Sequence, residues 1–250
     1  MIMRILTFLY GIGSYALGMG SLVYTAFWLI DLTPNALDAA SGTMTAAGVA
    51  INLALLALFA LQHSGMARPS FKAIWTRVIP AELERSTYIL ASAVAMAVFF
   101  YGWQPLGGDI WRVENGPAYV AILAAYGLGW AVLVSSTFCI DHFDLFGLRQ
   151  VWLHLRGLPY RELSFVQRGL YRFVRHPIYV GWFLVIWISP VMTVSHLMFA
   201  LGTTVYILWA YRIEERDLRA ALPEYDRYAE EVPAFVPGAV SAPRPVAERA

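Results

Sequence analysis

Four polar clusters interrupt an otherwise apolar chain of 250 residues: Gln62-His63, Asp141-His142 with Asp144, Arg175-His176 with Tyr179, and Arg212 with Glu214-Glu215. Histidine titrates nearest neutrality and can take or give a proton. A guanidinium offers a fork of donors shaped for a carboxylate, and a carboxylate accepts from hydroxyl and ammonium groups. Charge pairing and proton transfer are therefore the chemistry on offer. Each cluster also has a plainer reading. His63, at the end of an apolar run, could cap a helix through its dipole, and Glu214-Glu215 would ordinarily be a solvated helix end. The run IDHFDLFG (140–147) alternates acid with aromatic, which favours a folded lining over a solvated loop.

The elements that must position these clusters are membrane helices. Hydrophobic residues make up 59% and charged ones 14% of the chain, and a mean hydropathy of +0.56 is too apolar for a soluble domain of this size. A net charge of +1 gives no reason to expect nucleic acid. Cys139 is the only cysteine, so neither an intrachain disulfide nor a cysteine-based metal site is expected, and no metal is required.

Runs of about 20 apolar residues predict spans over Ile5–Ile30, Met44–Leu61, Thr87–Trp103 and Ala118–Ile140. The N-terminal run lacks a small-residue cleavage site and reads as a retained first span. The last apolar stretch, Ile178–Tyr211, contains Ser189-Pro190. Because proline breaks a helix, it reads as a hairpin of two helices whose first arm is short. The expected fold is thus an all-α polytopic bundle of four spans plus a C-terminal helical hairpin. It forms one domain over 1–237, followed by a disordered tail over 238–250.

Arginine and lysine set the orientation. With both termini cytoplasmic, Arg4, the 64–86 loop, the 141–177 loop and the tail face the cytoplasm, and only Arg112 falls outside. The outer loops around Asp31, Asp38, Asp109 and Glu114 are acidic. All four polar clusters then lie at the cytoplasmic boundary and could converge there, whereas His196 falls at the outer turn of the hairpin.

The stretch GLYRFVRHPIYVG (169–181) resembles the cofactor motif of the isoprenylcysteine carboxyl methyltransferase and phospholipid methyltransferase superfamily. So do EERDL (214–218), PEYDRY (223–228) and VPAFVP (232–237), in that order after the hairpin. The resemblance implies S-adenosyl-L-methionine as cofactor, contacted by Tyr171, His176, Pro177, Ile178, Tyr179 and the Glu214-Glu215 pair. A sulfonium, an ammonium and a carboxylate on one amphiphilic molecule call for both charge signs beside aromatic surface. Arg175 could pair with the carboxylate, Glu214 with the ribose hydroxyls or the ammonium, and Gly181 would let the backbone approach closely.

Further upstream, LQHSGMARPSFK (61–72), VIPAELERSTYILASA (78–93) and STFCIDHFDLFGLRQVWLHL (136–155) resemble the methanethiol S-methyltransferase branch, and more distantly NnrU-type membrane proteins. That branch implies a small volatile thiol as acceptor, methanethiol going to dimethyl sulfide, at a bacterial inner (cytoplasmic) membrane. Thiols ionise above neutrality and react as thiolates, so a base is expected. Asp141-His142 is the first choice and His63 the reserve, although neighbours on a helix point about 100° apart. Two alternatives stay open: another lipophilic acceptor, such as a prenylcysteine carboxylate or a phospholipid amine, and a non-catalytic haem-binding or transport protein using His63, His142 and His176.

Overall fold

The computed structural model describes residues 1–39 and 42–238, so all but the first residue of the expected tail lies outside the described residues. Among the described residues ten α-helices follow in order: α1 (Ile2–Trp28), α2 (Ala46–Ala67), α3 (Pro69–Trp75), α4 (Glu84–Gly102), α5 (Gly116–Ile140), α6 (His142–Leu145), α7 (Leu148–Arg156), α8 (Pro177–Trp187), α9 (Val194–Ala221) and α10 (Tyr225–Glu231). Five of them, α1, α2, α4, α5 and α9, are long and apolar enough to cross a membrane. Local chemistry fixes their starts. The Thr45 and Thr193 hydroxyls cap α2 and α9 by accepting from the Gly48 and His196 N–H groups, and proline opens α3, α5 and α8 in the first turn. The outward faces carry apolar side chains such as Leu61, Val120 and Val205, each at least 65% exposed. That inversion fits hydrocarbon as the surrounding solvent.

Helices α5 and α8 pack closely against each other. A Cβ placed on Gly181 would stand 2.7 Å from the Leu133 backbone nitrogen, and one on Gly129 would stand 2.9 Å from the Leu184 Cβ. Small residues here let two membrane helices approach closely. Gly181 therefore faces α5, and its missing side chain serves helix packing rather than the close ligand approach expected from the sequence. Gly181→Leu should lower stability by about 1–3 kcal/mol through overpacking, read as thermal unfolding in detergent. Gly13→Leu should not, because nothing lies within 4 Å of its Cβ position.

At the end of the bundle where α1, α4 and α8 finish, the Trp28 ring lies within 6.0 Å of the Phe99, Phe100, Trp103 and Phe199 rings. The break after α8 is at Ser189-Pro190, as the sequence predicts. It is followed by a short strand, β2 (Val191–Thr193), which pairs antiparallel with β1 (Asp109–Arg112). The class is therefore almost, but not wholly, all-α. Strands of three and four residues are too short to leave a periodicity in the sequence. α8 has 11 residues, about 16 Å of rise against a hydrocarbon core of about 30 Å.

His196 lies at this turn, as expected, but it is fully buried with Asp38 rather than beside a solvated loop. Its Nδ1 is 2.7 Å from Asp38 Oδ2, its Nε2 bonds to the Ile186 carbonyl at 3.0 Å, and the Thr193 hydroxyl donates to Asp38 Oδ1 at 2.5 Å. This polar pin ties the loop after α1 to the start of α9.

Candidate active site

At the opposite end of the bundle, Arg175, His176 and Glu215 form a buried hub where the start of α8 meets the end of α9. Glu215 Oε1 accepts from Arg175 Nε at 2.7 Å and lies 3.0 Å from His176 Nε2. Arg175 Nη1 donates to the carbonyls of Ala229 and Val232 at 3.0 and 2.5 Å, and Nη2 sits 2.6 Å from Glu215 Oε1. The segment after α10 closes the hub, since the Arg175 and His176 N–H groups donate to the Pro233 and Ala234 carbonyls at 2.9 and 3.1 Å. Arg175 is thus committed to the protein itself, and the carboxylate-pairing role expected from the sequence is taken by Glu215. The His176 ring lies among Tyr179, Tyr211 and Phe235, with centroids 5.4 to 5.8 Å away.

Glu214 is turned about 100° around α9 from Glu215, and its side chain is 43% exposed. It accepts from the Tyr179 hydroxyl at 2.8 Å. Tyr179 lies on α8 and Glu214 on α9, so this bond joins the two arms of the hairpin. Burial first, and the Glu214 charge second, hold the Tyr171 hydroxyl above its ordinary range, which keeps it a neutral donor. The Tyr171 carbonyl accepts from the Tyr228 hydroxyl at 2.7 Å. Pro177 is buried as the first residue of α8, and Ile178 beside it is half-buried.

The two base candidates differ sharply. His142 stacks on Phe138 at 4.3 Å with its ring almost parallel. The Thr137 hydroxyl donates its one proton to the Val134 carbonyl at 2.7 Å, so it accepts from His142 Nδ1 at 2.8 Å. That leaves Nε2 to accept from the Tyr15 hydroxyl, also at 2.8 Å. Both ring nitrogens are thereby hydrogen-bonded. Asp141 itself caps α6 by accepting from the Asp144 N–H at 3.0 Å.

His63 is placed differently. It stacks on Phe59 at 5.1 Å, and its Nδ1 lies 3.1 Å from Ser92 Oγ. The Tyr88 hydroxyl is 3.0 and 2.9 Å from the two ring nitrogens and can serve only one at a time. The neighbouring Ser64 hydroxyl bonds to Tyr206 at 2.9 Å, and Gln62 Oε1 is buried without a partner. His63 is thus joined to α4 through Tyr88 and, through the adjoining Ser64–Tyr206 bond, to α9, the helix that carries Glu214, whereas the hydrogen-bond partners of His142 lie on α1 and α5.

Sequence reasoning missed Tyr88, Ser92 and Tyr206. The available signal was Tyr88 and Ser92 at i, i+4 on one face of an apolar helix, each too common a residue type to stand out alone.

Residues 130–220 match the Isoprenylcysteine carboxyl methyltransferase (ICMT) family. A methanethiol S-methyltransferase of Crocosphaera subtropica is 44% identical over 236 residues, which are 94% of this chain and 92% of that protein. The chain belongs to the methanethiol S-methyltransferase family. A Mycobacterium tuberculosis protein of the same name is 45% identical over 94% of this chain and 97% of its own length. The protein is accordingly a multi-pass membrane methyltransferase and requires a methyl donor. Similarity reaches beyond enzymes of that name, for nurim of Rattus norvegicus is 33% identical over 181 residues, 69% of each chain. No solved structure matches the chain.

Proposed function

We propose that this methyltransferase transfers a methyl group from S-adenosyl-L-methionine to methanethiol, forming dimethyl sulfide, at the cytoplasmic edge of a bacterial inner membrane. The observation that carries the reading is the pairing of Tyr179 with Glu214 next to the Arg175–His176–Glu215 hub. The acceptor follows the printed names of the 44% and 45% identical relatives. The cytoplasmic side follows the cations, with Arg68, Lys72 and Arg85 at one end of the bundle and Arg112 at the other.

The donor set suits the cofactor. Glu214, half exposed and hydrogen-bonded by a phenol, accepts from ammonium or hydroxyl groups, while the aromatic faces of Tyr179, Tyr211 and Phe235 favour an adenine and a sulfonium. S-adenosylmethionine, when bound, supplies an electrophilic methyl group. The protein's part is to exclude water, align the thiol and accept its proton. His63 is the base we favour, since its ring and the adjoining Ser64 are bonded to α4 and to α9, the helix that carries Glu214. His142 and Asp141 are each held by fixed partners.

Calorimetry with S-adenosylmethionine, together with headspace detection of dimethyl sulfide, tests the reading. Glu214→Ala should weaken cofactor binding by about 1–3 kcal/mol, the cost of removing a hydrogen bond to a charged group. Unchanged cofactor affinity would remove Glu214 from the site.

A further inference from the structure

Arg85 is the second residue of α4. Its Nε is buried without a hydrogen-bond partner, and its guanidinium makes no ion pair among the described residues. Four acids on neighbouring elements are already committed, and Glu162, whose charge also acts on Lys72, is exposed. Glu82 pairs with His154 at 3.1 Å, Glu84 with Lys72 at 3.7 Å, Asp144 with Arg149 at 2.8 Å, and Asp217 with Arg68 at 2.8 Å. What faces Arg85 instead is like charge: the Lys72 ammonium is held below its ordinary value by burial and then by Arg85. A partly desolvated guanidinium without a counter-ion is costly, so this end of α4 calls for an anion the protein does not itself supply.

The surroundings narrow the kind of anion. Tyr88, one helical turn beyond Arg85, bonds to His63 of α2 at 2.9 Å, and Tyr206, about two turns before Glu214 on α9, bonds to Ser64 of α2 at 2.9 Å. These two phenols therefore have cations on the α2–α4 side and a carboxylate on the α9 side. An amino-acid zwitterion matches that field, with its ammonium toward Glu214 and its carboxylate toward Arg85. A lipid phosphate, carrying negative charge alone, would be repelled by Glu214.

We propose that Arg85 binds the carboxylate of the methionyl group of the methyl donor, so that the N-terminal half of the chain completes a cofactor site otherwise built by α8 and α9. This rests on the S-adenosylmethionine reading above. It adds a contact outside residues 130–220, the segment matched by the wider methyltransferase family.

Two ligands separate the roles: S-adenosylhomocysteine, which carries the amino-acid group, and methylthioadenosine, which lacks it. Binding of both is measured by calorimetry on the full-length protein in detergent, for wild type, Arg85→Met and Arg85→Lys. Arg85→Met should weaken S-adenosylhomocysteine about 10- to 100-fold and leave methylthioadenosine within about twofold, with Arg85→Lys in between. Retained methylthioadenosine binding reports an intact fold, and if the methionine variant loses it, the lysine variant carries the comparison. An equal loss for both ligands would make Arg85 structural and overturn the assignment, as would unchanged S-adenosylhomocysteine affinity. If Arg85→Met instead abolishes stabilisation of the protein by anionic lipid and spares both nucleosides, the anion is a headgroup and the assignment falls. A wild-type protein that binds neither nucleoside overturns the cofactor reading itself, whereas one that binds both equally overturns only the role of Arg85.

Discussion

His63→Ala is expected to lower methanethiol turnover roughly a hundredfold or more, in the range of a lost general base, while S-adenosylmethionine still binds. The proton balance explains the size. The thiol S–H bond breaks, the imidazole takes the proton, and the sulfur lone pair is released for attack, a step that otherwise waits for thiolate present in solution. Alkyl thiols ionise above neutrality, with cysteine at about 8.5 as a guide. Activity of the variant should therefore rise with pH more steeply than that of the wild type, and a more acidic thiol of similar size should recover it. Tyr88→Phe should cost less, because it removes a hydrogen bond to the ring and leaves the nitrogen. Steady-state rates across pH provide the measurement. Near-normal turnover in His63→Ala with loss in His142→Ala would return the role to the Asp141-His142 pair, and activity in both would leave the reaction without a side-chain base.

The second large effect concerns stability. Glu215→Ala should destabilise the protein by about 3–5 kcal/mol, because it strands the buried Arg175 guanidinium and removes a partner of His176. Chemical denaturation in detergent would show it. The double variant Arg175→Met with Glu215→Met should recover part of the loss, since an apolar pair leaves no uncompensated charge. Glu214→Ala should leave stability almost untouched, as its half-exposed carboxylate bonds to a single phenol. Adjacent glutamates would thus separate cleanly, one holding the architecture and one facing the ligand.

That division shows how far the sequence can be read. The meeting of Arg175-His176 with Glu214-Glu215 was legible because two motifs flank one apolar hairpin, and a hairpin brings its ends together. Which glutamate does what was not, because the answer depends on a 100° rotation along α9 and on carbonyls of Ala229 and Val232 more than fifty residues from Arg175. The choice between His63 and His142 was equally hidden. Tyr15 lies 127 residues from His142, and Tyr88 and Ser92 reach His63 from another helix, so only tertiary packing shows which elements each imidazole is bonded to. The motif glycine at Gly181 suggested a ligand, while its actual neighbour is Leu133. The buried Asp38–His196 pair escaped notice because an acid in an outer loop reads as solvated until its partner, 158 residues away, is seen.

The way the last residues close the hub carries a consequence for biosynthesis. Arg175 leaves the ribosome 40 residues before Glu215 and 57 before Val232. At about 5–20 residues per second it waits several seconds for its partners. During that interval its guanidinium must remain hydrated at the membrane surface, which holds the start of α8 at the water boundary while the following segment is threaded. A chain truncated before residue 229 would keep α1 to α9 but lack the Ala229 and Val232 carbonyls that accept from Arg175.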